Sequence, residues 1–174
     1  MKTRLKIILF CASSLLFIGC DQVTKSLARH HLMYREPLSY LHNTVRLEYV
    51  ENTGAALSLG DSLSKPLSFW LLSIVPLLFL IVLFIYAIRK MRVLTPLKLM
   101  AFSLIFAGGL GNIIDRIAFD RHVSDFMNVG IGSLRTGIFN VADMCVTAGV
   151  IILLVSSFKE SKPTTTEPEP NIEQ

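Results

Sequence analysis

The sequence predicts an all-α membrane protein with four transmembrane helices and a small β element outside the membrane. Of the 174 residues, 52% are hydrophobic and only 17% are charged, a composition too apolar for an ordinary soluble domain. Four long stretches with little charge, each able to cross a bilayer core of about 30 Å, alternate with polar connections. We expect helices near residues 5–27, 66–88, 97–116 and 137–158, with polar segments at 29–65 and 117–136.

The first hydrophobic segment allows two interpretations. Its basic start and the uncharged run over residues 7–20 resemble a secretory signal ending at Cys20, where a lipoprotein would be lipidated. Alternatively it is a retained membrane helix, lengthened by residues 23–27, with Asp21 and Lys25 on one helical face. The rest of the chain favours retention, so we expect the segment to stay attached and Cys20 to be an unmodified thiol.

The polar segment that follows contains one strand signal. Residues 45–50 alternate apolar with charged or aromatic side chains, the period of a half-buried strand. Just after it, Asn52 offers amide donors and an acceptor, and Gly54 would let backbone approach another group closely. An ordinary turn between two strands is the competing interpretation.

The clearest membrane helix is the uncharged run 66–88, in which Pro76 predicts a kink. Basic residues with few acids mark the N-terminus, the loop after this helix and the start of the tail. The positive-inside rule therefore predicts cytoplasmic termini and extracytoplasmic polar segments. Residues 159–174 are predicted to be a disordered cytoplasmic tail, which leaves 1–158 as a single domain. The net charge of +4 lies in clusters beside hydrophobic runs, so topology explains it better than nucleic-acid binding.

Asp143 lies in the otherwise uncharged run 136–158. An Asp at the centre of a membrane helix costs about 2.5–3.5 kcal/mol, so such an acid usually faces protein or water. A carboxylate solvated near a helix start, stabilised by the helix dipole, is the alternative. The predicted topology gathers the polar residues at one end of the bundle, with Asn112 and Arg116 sharing one helical face and Asn140 sharing another with Asp143.

Three kinds of chemistry suit these residues. Two carboxylates in a poorly solvated site cannot both ionise easily, so one can hold a proton while the other activates water against a peptide carbonyl. A polar clamp in which Arg116 neutralises the acids is a second possibility. A proton or ion path is a third.

Five short motifs together resemble those of the lipoprotein signal peptidase (signal peptidase II) family. In the order of that family, they are DQVTK at 21–25, ENTGAA at 51–56, GNIIDR at 111–116, VSDF at 123–126 and FNVAD at 139–143. The resemblance covers residues from about 5 to 158. It implies an intramembrane aspartic endopeptidase of the bacterial inner membrane that cleaves diacylglyceryl-modified prolipoproteins just before the lipidated Cys. The alternative is a non-catalytic or ion-conducting four-helix protein that uses the same acids.

The resemblance also implies residue roles. Asp125 and Asp143 correspond to the two catalytic aspartates, and residues 45–60 to a small extracytoplasmic sheet that cradles the substrate. The residues expected to support the two aspartates or to bind substrate are Asp21, Lys25, Asn52, Gly54, Asn112, Arg116 and Asn140. We expect no metal and no organic cofactor, no nucleic-acid partner, and a monomer surrounded by membrane lipid. Leu57 replaces a usual Phe, and the connection before Asp125 is longer and lacks a usual Gly, which leaves the path of residues 120–122 open.

Overall fold

Four helices surround a polar centre, and a small sheet lies at one end of the bundle. The structure, a computed structural model, describes residues 2–54 and 63–160. In chain order the elements are α1 (Thr3–Leu32), β1 (Leu38–Tyr40), β2 (Val45–Asn52), α2 (Lys65–Arg89), α3 (Pro96–Ala118), β3 (Val123–Ile131), β4 (Leu134–Arg135) and α4 (Val141–Glu160).

The predicted fold class is confirmed. In the part of the chain that the structure describes, four helices are long and apolar enough to cross a membrane. Their outer surfaces carry large exposed hydrophobic side chains such as Leu15 and Val82, which suit contact with lipid rather than water. Most of the predicted disordered tail, residues 161–174, lies outside the described residues.

α1 extends beyond the predicted 5–27 at both ends, and tertiary contacts stabilise the C-terminal extension. At its C-terminal end, Ala28 and Leu32 pack with Phe126 of β3 in a buried apolar cluster. Near its N-terminal end, the Lys6 ammonium is buried and donates to the Leu94 carbonyl at 2.6 Å. That bond attaches α1 to the loop between α2 and α3.

The predicted disturbance at Pro76 takes the form of a widened turn. α2 is α-helical over Lys65–Phe69, π-helical over Trp70–Ile74 and α-helical again from Val75. The Val75 N–H donates to the Trp70 carbonyl, five residues back. Because Pro76 has no N–H, one i→i−4 hydrogen bond of the α-helix is missing there in any case. The π-helical turn just before it accommodates this gap in the hydrogen-bond pattern.

α3 lies at the centre of the bundle and packs against each of the other three helices. Small residues allow α4 to approach it closely. A Cβ at Gly108 would collide with the Ala142 carbonyl of α4, and one at Gly149 would lie 2.7 Å from the Ala101 carbonyl of α3. The two helix backbones are therefore in direct contact at these glycines, and this contact fixes the position of α4 along the axis of α3.

The sheet is antiparallel with strand order β1-β2-β3-β4. The strand predicted at 45–50 is confirmed and continues to Asn52. Its partner β3 differs from the prediction, in which residues 117–136 are a polar connection and no strand is assigned. β3 pairs Asp125 with Val50 and Val123 with Asn52, after a register shift between Leu47 and Val50. Asp125 is therefore held in a strand beside Asn52.

A tight turn links α3 to β3 and gives the path of residues 120–122. The Arg121 N–H donates to the Arg116 carbonyl at 2.8 Å, and the His122 N–H donates to the Phe119 carbonyl at 2.9 Å. Asp120 and Arg121 both have positive φ, 43° and 75°. Two non-glycine residues thus adopt the left-handed conformation that glycine would adopt more easily.

The start of the fourth helix also differs from the prediction. α4 begins at Val141 instead of near 137, so the predicted sharing of one helical face by Asn140 and Asp143 is wrong. The Asp143 N–H donates to Asn140 Oδ1 at 3.0 Å, and the Asn140 N–H donates to Asp143 Oδ2 at 3.1 Å. This reciprocal pair is a capping box. Phe139, just before the capping box, is not helical and forms an antiparallel bridge with Met127 of β3.

Candidate active site

Two asparagines join Asp125 and Asp143, which we call the acid pair. Asn140 Nδ2 donates to Asp125 Oδ1 at 2.6 Å and to Asn112 Oδ1 at 3.2 Å. Asn112 Nδ2 in turn donates to Asp143 Oδ1 at 2.8 Å. Asn140 is fully buried and Asp125 is 3% exposed. Strand β3, the start of α4 and the C-terminal part of α3 thus bring both acids into one polar cluster.

The surroundings of Asp125 favour its protonated form. Burial raises its pKa from 3.8 to about 6, and the nearby charge of Asp143 acts in the same direction. Hydrogen bonds from Asn52 Nδ2, 2.9 Å from Asp125 Oδ2, and from Asn140 oppose the rise. Asp125 therefore retains a proton at a pH at which a solvated aspartate would be ionised.

Lys25 lies at the opposite side of this cluster and is fully buried. Its Nζ is 2.9 Å from Asp21 Oδ2 and 3.5 Å from Asp115 Oδ2, and it donates to Asn112 Oδ1 at 2.8 Å. An ammonium can only donate, so Asn112 must turn its oxygen towards Lys25 and its NH₂ towards Asp143. Lys25 thereby sets the orientation of the amide that contacts one member of the acid pair.

Asp21 attaches α1 to the start of α4. Its Oδ1 accepts a hydrogen bond from the Ala142 N–H at 2.8 Å, one of the N–H groups that a helix start leaves without an intrahelical partner. Gly111 provides the space for this contact, since a Cβ there would lie 2.5 Å from Asp21 Oδ2. The motif residues Asp21 and Gly111 thus place the α4 terminus that carries Asp143.

Arg116 contacts the site through the backbone of Gly54. Its Nη2 donates to the Gly54 carbonyl at 2.8 Å, and the Gly54 N–H donates to Asn52 Oδ1 at 2.9 Å. Within residues 2–54 and 63–160, no ion pair within 4 Å joins Arg116 to a carboxylate. The clamp in which Arg116 neutralises the acids by direct pairing is therefore not the arrangement seen. The remainder of the ENTGAA motif, with Leu57, lies outside the described residues.

Asp115, which has no predicted role of its own, is completely buried in the structure. Asp115 Oδ2 accepts from the Ser124 N–H at 3.0 Å, and its Oδ1 accepts from Gln22 Nε2 at 3.2 Å. Arg29 adds a longer contact at 3.8 Å. Asp115 therefore anchors β3 immediately before Asp125. An acid in a membrane helix is costly, for Asp115 as for Asp143, and this cost is the signal that could have identified Asp115 from the sequence.

A cavity of about 490 Å³ opens beside the acid pair. Asp125 and Asp143 border it, and its wall includes the apolar side chains Leu72 and Pro76 of α2 and Val146 of α4. It thus combines two carboxylates with a mainly apolar surface. In the part of the chain that the structure describes, no group of three or more His, Cys, Asp and Glu side chains could hold a metal ion.

Comparison with known proteins identifies relatives over most of the chain. The model of the family described as Signal peptidase (SPase) II matches residues 13–159. The lipoprotein signal peptidase of Francisella tularensis subsp. mediasiatica is 36% identical over 149 residues, which cover 86% of this chain and 91% of that protein. The lipoprotein signal peptidase of Streptococcus pneumoniae is 37% identical over 150 residues, covering 84% of this chain and 90% of that protein.

Solved structures agree with these relatives. A bacterial membrane enzyme determined by the in meso method at 2.3 Å superposes with a TM-score of 0.75 at 28% identity. The match covers 92% of this chain and 96% of that enzyme. A second such structure, at 1.9 Å, gives the same TM-score at 29% identity. The chain thus shares its fold with solved bacterial membrane enzymes, while the sequence comparisons identify its family.

Proposed function

The chain belongs to the signal peptidase II family, and we propose that it is an aspartic endopeptidase that removes signal peptides from diacylglyceryl-modified prolipoproteins, cleaving before the lipidated Cys. It is a multi-pass bacterial membrane protein, as the four apolar helices and the family indicate. The observation that carries the proposal is the acid pair, joined through Asn140 and Asn112 at the border of a partly apolar cavity. The family gives no support to a non-catalytic or ion-conducting protein.

The two acids take different roles in the proposed reaction. Asp125, whose pKa is raised to about 6, acts as the acid that protonates the leaving nitrogen. Asp143 accepts hydrogen bonds from Asn112 and from the Asn140 N–H at the start of α4, a position that suits an anion, and it acts as the base. A water molecule between the carboxyl groups gives its proton to Asp143 as it attacks the scissile carbonyl. The proton on Asp125 then passes to the nitrogen, and the peptide bond breaks.

The remaining residues position this pair. Lys25 and Asp21 act through Asn112 and Ala142, and Asn52 holds Asp125 from the other side. Gly54 links Arg116 to Asn52, because its carbonyl accepts from Arg116 and its N–H donates to Asn52. The apolar wall of the cavity suits the hydrophobic side chains and acyl chains of a lipidated precursor.

We also propose the orientation of the chain in the inner membrane. Lys2, Arg4, Lys90 and Arg92 are exposed basic residues near the helix ends opposite to the acid pair. The positive-inside rule assigns that end, and both termini, to the cytoplasm, and the sheet to the outside. We also propose that residues 1–158 act as a monomer within membrane lipid.

The test is cleavage of a defined diacylglyceryl-modified prolipoprotein in detergent, with a metal chelator present. Asp125→Asn and Asp143→Asn should each lower turnover by about 10²–10⁴-fold, because an amide keeps the shape but cannot exchange the required proton. Asp120→Asn is the matched control: its side chain is 75% exposed and 3.7 Å from the exposed Lys65 ammonium. It should keep normal turnover.

Three results would count against the proposal. A folded Asp125→Asn or Asp143→Asn variant with near-normal turnover would remove that residue from catalysis. Activity that is lost on chelation and restored by a divalent metal would replace the acid pair with a metal mechanism. No cleavage by the unaltered protein, under conditions in which a known relative cleaves the same precursor, would refute the function itself.

A further inference from the structure

A second cavity, of about 340 Å³, lies between α1 and α3 at the end of the bundle opposite to the acid pair. Leu9, Ala12 and Leu16 line it from α1, and Leu99 and Met100 line it from α3. The three α1 residues are spaced by three or four positions, so they form one helical stripe about 10 Å long. Leu9 and Leu16 are 48% and 63% exposed, so the groove opens towards the lipid-facing surface.

A buried cation closes one end of this groove. Lys6 lines the cavity and is only 8% exposed, and its Nζ donates to the carbonyls of Leu94 and Arg92 at 2.6 and 3.2 Å. These bonds place the loop between α2 and α3 beside the groove. Among the described residues, no carboxylate lies within 4 Å of the Lys6 ammonium. Within the described residues, its hydrogen bonds are to backbone carbonyls.

Two further exposed basic residues, Lys2 and Arg92, contact Lys6 through their backbone carbonyls. Lys2 lies one helical turn before Lys6, whose N–H donates to the Lys2 carbonyl at 3.2 Å. Arg92 is exposed, and its carbonyl is one of the two that contact Lys6. The sequence contains no acidic residue at positions 1–20 or 62–114, so neither α1 nor the loop supplies a counter-charge here. The groove is thus mainly apolar, with Ser13 as a polar lining residue, and it is cationic at its end.

We propose that this groove binds one anionic phospholipid, with an acyl chain along the α1 stripe and the phosphate beside Lys2, Lys6 and Arg92. A basic pocket between membrane helices is a recognised form of acidic headgroup site. A ligand with both an anionic headgroup and a long apolar chain satisfies both parts of the groove, and a phospholipid is the membrane component with that chemistry. The site is separate from the acid pair, and the proposal does not depend on the cleavage reaction.

Native mass spectrometry of the full chain in a mild detergent tests the proposal. Dioleoyl phosphatidylglycerol and dioleoyl phosphatidylcholine share their acyl chains and differ in headgroup charge. One phosphatidylglycerol should bind at least tenfold more tightly than phosphatidylcholine, with a preference that weakens at high salt. Lys2→Gln combined with Arg92→Gln should weaken phosphatidylglycerol binding about 30-fold, because each basic residue near an acidic headgroup contributes about 1 kcal/mol.

Two further variants separate charge from shape. Ala12→Phe, at an exposed position of the stripe, should fill the groove and remove the one-lipid complex while the protein stays folded. Arg35→Gln combined with Lys65→Gln removes the same amount of exposed charge at the other end of the bundle and should leave binding unchanged.

The proposal is overturned by equal binding of the two lipids or by an unchanged preference in the Lys2 and Arg92 double variant. It is also overturned if the Ala12 variant binds normally. Glycerol phosphate without acyl chains should not bind measurably. If it binds as tightly as the lipid, the site is a soluble phosphate site and the apolar groove has no part in it.

Discussion

Replacing Lys25 with methionine should destabilise the protein more than any other single removal of a positive charge in α1. The Lys25 ammonium is fully buried between Asp21 and Asp115, which are 1% and 0% exposed. Methionine is similar in length but apolar, so two carboxylates would remain buried without their shared cation. Removing one partner of a buried ion pair costs about 3–5 kcal/mol.

The same region of sequence provides a matched control. Lys6 is the other buried lysine of α1, but its partners are the neutral carbonyls of Leu94 and Arg92. Its replacement with methionine removes hydrogen bonds without leaving a buried charge, at a cost of about 1–3 kcal/mol. A change of 1 kcal/mol shifts the melting temperature of a protein of this size by about 2–4 °C. We therefore expect decreases of roughly 6–20 °C for Lys25→Met and roughly 2–12 °C for Lys6→Met.

Thermal unfolding in one detergent, followed by a cleavage assay on the folded fraction, measures both effects. Adding Asp115→Asn to Lys25→Met should restore part of the lost stability, because one of the two uncompensated charges is then absent. Cleavage by Lys25→Met should stay low, since Asn112 loses the donor that orients its amide. If Lys25→Met melts no lower than Lys6→Met, or if the Asp115 change only adds to the loss, the buried-charge reasoning is wrong.

Three further predictions use different measurements. Burial raises the Asp125 pKa from 3.8 to about 6, so the stability linked to its proton is complete below pH 4 and is lost as the pH rises through 6. The melting temperature of the unaltered protein, measured relative to that of Asp125→Asn, should therefore fall between pH 4 and 7. A difference that stays constant with pH would contradict this. Gly111→Ala places a Cβ 2.5 Å from Asp21 Oδ2 and should lower both melting temperature and cleavage, whereas Gly19→Ala, with no atom within 4 Å of its Cβ, should not. The intact mass of purified protein should show the N-terminal segment still attached and Cys20 unmodified, and a mature chain starting at a diacylated Cys20 would refute this.

The sequence by itself determined the presence of four membrane helices, the family and the residues of the proposed site apart from Asp115. Four mainly apolar stretches, each with about the 20 residues that a helix needs to cross a bilayer core, must form helices, because every backbone polar group in hydrocarbon needs a partner within its own segment. That requirement is local and can be read from composition. The strand at 45–50 was also readable, since its alternation has period two. The five motifs identified the acids although their separation in space was unknown.

Only the tertiary structure showed how these residues meet. β3 pairs with a strand some 75 positions earlier in the chain, as Val50 opposite Asp125 shows, and its own sequence carries no clear alternation. Asn140 leaves the predicted helix because its side chain caps the Asp143 N–H, a local bond that competes with helix continuation. The orientation of the Asn112 amide depends on Lys25 of a different helix. Hydrophobic period reports which side of an element is buried, but the partner of a buried polar group depends on long-range packing, which no local pattern encodes.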